Sequence, residues 1–253
     1  MAPKKIKKKD EPIKIKLTEE QRRKFKVTRT WRKYFQSKIR HQKTYICWAI
    51  GGSALLEAKY NRSCISDDDW EELSPQFLVN KLCGPGDLAM RKFKPVNEFL
   101  QTTGICTEEH CKYLGILPND YQQCQPQPPF FIIDADPIEK EGKISDDYIE
   151  GLFSQGPVLG IFAAYQSFGA LQEGEIWTGP KRGDKHLGAD HAVVITDIGS
   201  KTEDNGEVTH FWSVRNSAGT NWADKGYGLV HRRPGQPSLF TQVWCPEIVR
   251  MRP

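Results

Sequence analysis

Residues 42–50 read Gln-Lys-Thr-Tyr-Ile-Cys-Trp-Ala-Ile, and the part played by Cys47 within them decides what kind of chain this is. From Cys47 to Tyr60, apolar residues fall at 47, 50, 54, 55 and 58. That is near helical spacing and predicts a helix that begins at the cysteine. A thiol attacks as its thiolate, so a reactive cysteine needs something that lowers its pKa. A helix N-terminus, with roughly half a positive charge, is one such device. A cysteine at a helix start is also often a small buried apolar residue, and this stretch alone does not separate the two readings.

The second device is a neighbouring imidazolium. Histidines occur at 41, 110, 186, 191, 210 and 231. His191 directly precedes the β-prone run Ala192-Val193-Val194-Ile195, so its ring is expected at a strand end beside a cleft. A base of this kind needs a partner to orient it. Asn216, at the end of Phe211-Trp212-Ser213-Val214-Arg215, is the candidate on a neighbouring strand. Acyl transfer also needs donors for an oxyanion, which the Gln42 side-chain amide and the Cys47 backbone N–H could supply. Each residue alone points more often to structure than to function. The order Gln, Cys, His, Asn in these local contexts is far more specific.

The chain has 253 residues, 38% hydrophobic and 27% charged, enough for one large domain or two packed lobes. Its longest apolar runs, such as Gly156 to Tyr165, are about ten residues, against roughly 20 for a membrane-crossing helix. The net charge of +4 conceals a division. Up to Arg40 there are 16 Lys and Arg against 4 Asp and Glu; beyond it, 20 against 28. A basic arm, opening Met1-Ala2-Pro3-Lys4-Lys5-Ile6-Lys7-Lys8-Lys9, therefore precedes a mildly acidic body. The arm fits a nuclear-import signal, a polyanion contact or a solvated tail. It lacks the apolar centre of a secretory signal peptide, so the compartment expected from sequence is cytoplasm or nucleus. Seven cysteines, an odd number, leave at least one thiol unpaired.

Along the chain, residues 1–28 read as a basic tail, with Lys16 to Lys26 as a candidate helix. Residues 29–129 read as a helical lobe and 130–250 as a β-rich one. Ser74-Pro75 marks a helix start, and Ala89 to Gln101 is helix-like. Gln125-Pro126-Gln127-Pro128-Pro129 lies in the expected crossing between lobes. Phe130 to Ile133, Val158 to Ala164, Ala192 to Thr196, Phe211 to Arg215 and Tyr227 to His231 read as strands, and Ser145 to Ser154 as a short helix. Helices first and strands later indicate an α+β fold.

From about Trp31 to Pro246 the chain resembles the papain family of cysteine peptidases. The resemblance rests on Trp31-Arg32, Gln42 through Cys47-Trp48-Ala49, Leu73-Ser74-Pro75-Gln76-Phe77-Leu78-Val79 and Cys83-Gly84-Pro85-Gly86. It continues through Gly156-Pro157-Val158 and Gly174-Glu175-Ile176-Trp177-Thr178-Gly179-Pro180. Its strongest segments are Asp190-His191-Ala192-Val193, Val214-Arg215-Asn216-Ser217, Gly219-Thr220-Asn221-Trp222 and Lys225-Gly226-Tyr227. Cys47 and His191 are 144 residues apart, within the range of this family.

The resemblance implies a helical lobe with the nucleophile on its central helix, a β-barrel-like second lobe and a cleft between them. It implies Cys47 as nucleophile, His191 as ion-pair partner and acid/base, Asn216 as its orienting residue and Gln42 as an oxyanion donor. Gly86, Asp190 and Trp222 are the implied substrate-binding residues, a polypeptide is the substrate, and no metal or cofactor is called for. Family members usually work in lysosomes, vacuoles or outside cells.

Several positions depart from the pattern. Gln42 to Cys47 is one residue shorter than usual, with Tyr45-Ile46 in place of Gly-Ser, so large side chains are expected to crowd the cleft or shift Gln42. Ala218 stands where the family carries a Trp that shields the Asn–His hydrogen bond, so that bond is expected to be more exposed. Cys83 matches a family cysteine whose usual partner is missing. No pro-segment of family length precedes Trp31. These departures motivate the alternative of a weakly active or inactive peptidase fold that binds peptides or partners. Cys106, His110, Cys111 and Cys124 make a poor zinc pattern.

Overall fold

The structure is a computed structural model that describes residues 16–84, 86–89, 92–119, 128–247 and 249–252. Its helices are α1 (Glu19–Arg23), α2 (Cys47–Ser63), α3 (Pro75–Leu82), α4 (Lys94–Thr102), α5 (Asp146–Phe153) and α6 (Gln166–Gly169). Its first six strands are β1 (Phe25–Thr30), β2 (Ile105–Cys106), β3 (Phe130–Ile133), β4 (Ile138–Glu141), β5 (Val158–Tyr165) and β6 (Ile176–Trp177). Five more follow: β7 (His186–Thr202), β8 (Val208–Arg215), β9 (Tyr227–His231), β10 (Gln242–Cys245) and β11 (Val249–Met251).

Helix α2 is buried on every side from Cys47 through Asn61. Its sequence periodicity is weak for that reason: a helix between two layers has no solvent face to mark. One layer is α3 with the small antiparallel sheet β11-β3-β2. The other is the large sheet, whose strands β5 and β7 send alternate residues to opposite faces. Leu159, Ile161, Ala192 and Val194 join the core around α2, while Val158, Phe162, Val193 and Ile195 join a second core on the far face. A strand buried on both faces reads as a continuous apolar run, as Val158 to Ala164 and Ala192 to Thr196 do. Gly51 lets the helix lie close to the sheet, since a Cβ there would sit 2.6 Å from Leu159 Cδ1.

The large sheet has the order β4-β10-β5-β7-β8-β9-β6, and β1 pairs with β7. All its pairs are antiparallel except β6 with β9. Among the described residues its edge strands β4 and β6 do not pair with each other, so hydrogen bonds do not close the expected barrel. Strand β7 is much longer than the apolar run that announces it. Its first half pairs with β5 and its second half with β1, while β8 runs along the opposite edge. His191 therefore lies inside a strand, opposite Phe162, and not at a strand end. The residues before it, His186 to Asp190, are mostly exposed and carry no apolar signal.

The segment expected as tail contributes structure from residue 16 onward. Thr18 and Gln21 close a capping box on α1, and Phe25–Thr30 extends the sheet along β7. Residues 1–15, which hold the opening lysine run of the basic arm, lie outside the described residues. Ser74 and Ser145 cap α3 and α5 by accepting from the N–H groups of Phe77 and Tyr148, each at 3.1 Å. Helix α4 starts at Lys94, later than the helix-like run, with Pro95 in its first turn, where a missing N–H costs nothing. The lobe crossing falls largely on residues 120–127, outside the described set. Strand β3, expected in the second lobe, places Phe131 and Ile133 in the core around α2.

Candidate active site

Cys47 is the first residue of α2, after Ile46 at the N-cap, and no side chain caps that end. The helix dipole therefore acts on the thiol undiluted. The thiol is 8% exposed and faces β7, where it meets the His191 ring within hydrogen-bonding reach. Burial pushes the Cys47 pKa up. The hydrogen bond and charge of His191, with the backbone N–H groups of Ala192 and Trp48, outweigh that and leave it below its ordinary value. The ring responds in the opposite direction. Burial lowers the His191 pKa, but bonds to Cys47 and Asn216 and the Cys47 charge hold it above its ordinary value. Opposite shifts on neighbouring groups favour the thiolate with the imidazolium over the neutral pair.

His191 Nε2 lies 2.7 Å from Asn216 Oδ1. An amide oxygen only accepts, so Nε2 carries a proton and Nδ1 is left for the sulfur. Asn216 is 5% exposed; its N–H reaches the Gly226 carbonyl at 3.0 Å, and its Oδ1 also accepts from the Ser217 N–H at 2.8 Å. The Phe162 and Phe168 rings flank His191 at 6.0 and 5.9 Å.

Gln42 is tied to the same strand end. Its backbone N–H reaches the Ser217 carbonyl at 2.7 Å, and its Oε1 accepts from the Ser217 hydroxyl. With Oε1 engaged, the Nε2 donor is the end left for a ligand. Gly86, at φ +82°, is exposed across a pocket from Gln42, Thr44, Tyr45 and Leu88. Its loop is held by Trp48, whose indole N–H donates to the Leu88 carbonyl at 2.9 Å. Asp190 is exposed and lines a pocket of about 430 Å³ with Cys47, Trp48, Phe93, Ile161 and Gln242. Trp222 is buried, and its indole donates to the Phe168 carbonyl at 3.1 Å. It is linked to the His191 ring through Phe168, which packs on both, and lines neither pocket.

Of the two large residues expected to crowd the cleft, Ile46 is fully buried in the core around α2 and Tyr45 is 63% exposed at the cleft. Cys83 is a thiol, its pKa pushed up to about 11 by burial and the charge of Asp87. Among the described residues no group of three His, Cys, Asp or Glu is placed to hold a metal. His110 lies 2.7 Å from the Thr107 hydroxyl, and Cys124 falls outside the described set. Ser217, Phe162, Phe168, Ile161 and Gln242 were not singled out from sequence. Only Ser217 had a signal, as the neighbour of Asn216.

A family model, papain family cysteine protease, matches residues 27–245. Cathepsin L of Sarcophaga peregrina is 26% identical over 189 residues, which are 72% of this chain and 51% of that protein. A cathepsin L-like peptidase of Aedes aegypti is 37% identical over 194 residues, which are 74% of this chain and 52% of that one. This chain thus spans about half the length of these relatives. The bromelain protease of Ananas comosus, solved with the E64 inhibitor, has the same fold, with a TM-score of 0.63 at 19% identity over 86% of this chain and 97% of that one. The chain belongs to the papain family of cysteine proteases.

Proposed function

We propose that the protein hydrolyses peptide bonds through a Cys47 thioester. The observation that carries this reading is that one imidazole, His191, lies beside the thiol at a helix start and hydrogen-bonds the Asn216 amide oxygen. The Cys47 thiolate attacks the scissile carbonyl. The oxyanion that forms is held by the Cys47 N–H and Gln42 Nε2. As the C–N bond breaks, the leaving amine takes the proton of His191, and the acyl group stays on sulfur. His191, now neutral, takes a proton from water, and the resulting hydroxide attacks the thioester and releases the acid. Asn216 keeps the ring in the tautomer and orientation both steps need. Gly86 and Asp190 border the pockets that receive the polypeptide, and Trp222 supports the ring through Phe168.

The test is labelling of the full chain with E64, the inhibitor seen bound to bromelain, together with turnover of a fluorogenic peptide. Label on Cys47 and turnover, both lost in His191→Ala, support the reading. An unlabelled Cys47 with an ordinary thiol titration leaves a peptide-binding protein on a peptidase fold.

A further inference from the structure

Resting on that reading, we propose that Tyr45 is a specificity-determining residue. Its ring is the wall against which the substrate residue donating the scissile carbonyl packs its side chain, and it selects an apolar, preferably aromatic, side chain there.

Tyr45 is 63% exposed although its neighbour Ile46 is fully buried and Cys47 is 8% exposed. The backbone beneath it is fixed. The Ile46 N–H reaches the Thr44 carbonyl at 2.9 Å, and Ile46 is locked in the core. The ring alone projects, and among the described residues its hydroxyl has no hydrogen-bond partner. It lines the pocket that holds Cys47, Phe93 and Ile161 and also the pocket that holds Gln42, Gly86 and Leu88. Tyr45 is therefore the partition between them.

A reacting carbonyl carbon must come within about 3 to 3.5 Å of the sulfur. Its oxygen must turn toward Gln42 and the Cys47 N–H, and Tyr45 lies between these two donors in the chain. Two substituents of that carbon remain: the scissile nitrogen must face His191, which protonates it, and the Cα with its side chain is left to the side where Tyr45 borders both pockets. The chemistry of the wall then selects. Leu88 adds apolar surface, and Lys43 lines the same pocket as an exposed cation. A flat apolar ring gains contact with Tyr45 and Leu88, glycine gains neither, and arginine meets Lys43.

The experiment compares fluorogenic peptides that differ only in the residue before the leaving group, namely Phe, Leu, Gly and Arg. The full chain is used as wild type, Tyr45→Phe and Tyr45→Ala, with active sites counted by E64 labelling. Wild type should prefer Phe and Leu over Gly and Arg. Tyr45→Ala should lower the Phe-to-Gly ratio of kcat/KM about threefold to tenfold, the size of an aromatic pair contact, and Tyr45→Phe should retain it. An unchanged ratio in Tyr45→Ala, or an equal fall on every peptide, overturns the proposal while leaving the peptidase reading intact. Failure of E64 to label wild-type Cys47 overturns the peptidase reading and this proposal with it.

Discussion

Replacing Glu57 by glutamine should flatten the pH dependence of stability. Glu57 lies on α2 and is fully buried. Its Oε1 accepts from the Gln36 and Ser37 N–H groups at 2.6 and 2.8 Å, while Oε2 is buried with no partner among the described residues. The cations that face it are Arg215 and Arg40. Arg215 donates to the Ser37 carbonyl and hydroxyl at 2.7 and 2.9 Å and to the Lys38 carbonyl at 3.0 Å. Burial pushes the carboxyl up from 4.5 to about 7, against the lowering effects of Ser37, Arg215 and Arg40. The native state thus binds a proton that the unfolded chain releases between those values. Stability from this group is fully present below pH 4.5 and is lost as pH rises through 7. At about 1.36 kcal/mol per pH unit, the loss between pH 5 and 8 is about 2 to 3 kcal/mol. Glutamine keeps an oxygen for the two N–H groups and cannot ionise. Urea unfolding of both proteins at pH 5, 6.5 and 8 measures the difference, in which the other titrating groups cancel. Parallel stability curves would refute the reasoning. Residues 36–42 run from this clamp to Gln42, so the same measurement probes what ties the Cys47 helix to the Gln42 loop and the Asn216 strand.

Other consequences concern the site and its support. The lowered Cys47 pKa and the raised His191 pKa both favour the thiolate–imidazolium form over the neutral pair. Iodoacetamide should therefore alkylate Cys47 well below pH 9, and His191→Ala, which leaves burial to raise the thiol, should slow labelling at pH 6 by about tenfold or more. Asn216→Ala should lower kcat/KM by about 10- to 100-fold, the worth of a hydrogen bond to a charged group, with circular dichroism unchanged. Gly228→Ala would bring a Cβ to 2.2 Å from Trp222 Cη2. It should cost about 1 to 3 kcal/mol in urea unfolding, and an unchanged midpoint would show that Trp222 moves freely.

What the sequence disclosed divides along physical lines. The start of α2 at Cys47 and the strands Phe130–Ile133 and Tyr227–His231 were legible because caps, apolar runs and turns are local signals. The neighbours of His191 in space were not. Phe162 reaches it only through the β5–β7 register, and Phe168 only through the turn onto α6. Ile161 and Gln242 meet at the Cys47 pocket because β5 and β10 are paired. The length of β7 was hidden because its leading flank is mostly exposed and its trailing flank, Asp197 to Thr202, is mostly polar, and hydrogen bonds to β5 and β1 make them a strand. The barrel-like second lobe expected from family resemblance is not confirmed: among the described residues β4 and β6 stand as separate edges of the large sheet, a relation that no residue pattern records.

Ala218 in place of a shielding Trp raised the expectation of a more exposed Asn216–His191 bond, and the ring has support of its own. Phe168 packs on Trp177 at 5.3 Å and on Trp222 at 5.0 Å. Both indoles are pinned by hydrogen bonds, Trp177 to the Ser167 hydroxyl at 2.8 Å and Trp222 to the Phe168 carbonyl at 3.1 Å. Phe162 closes the cluster through Trp177 at 5.1 Å. His191 therefore rests on an aromatic wedge whose members cannot shift singly. Its acceptor is fixed separately, since Asn216 is 5% exposed and its backbone N–H is held by Gly226. Ala218 itself pairs with His41 across an isolated bridge, beside the Gly219 N–H bond to the Arg40 carbonyl at 3.0 Å. The support that one bulky side chain gives elsewhere in the family is divided here. The wedge fixes the ring, burial fixes the amide, and the Gln42 loop is tied to the same segment through Ser217.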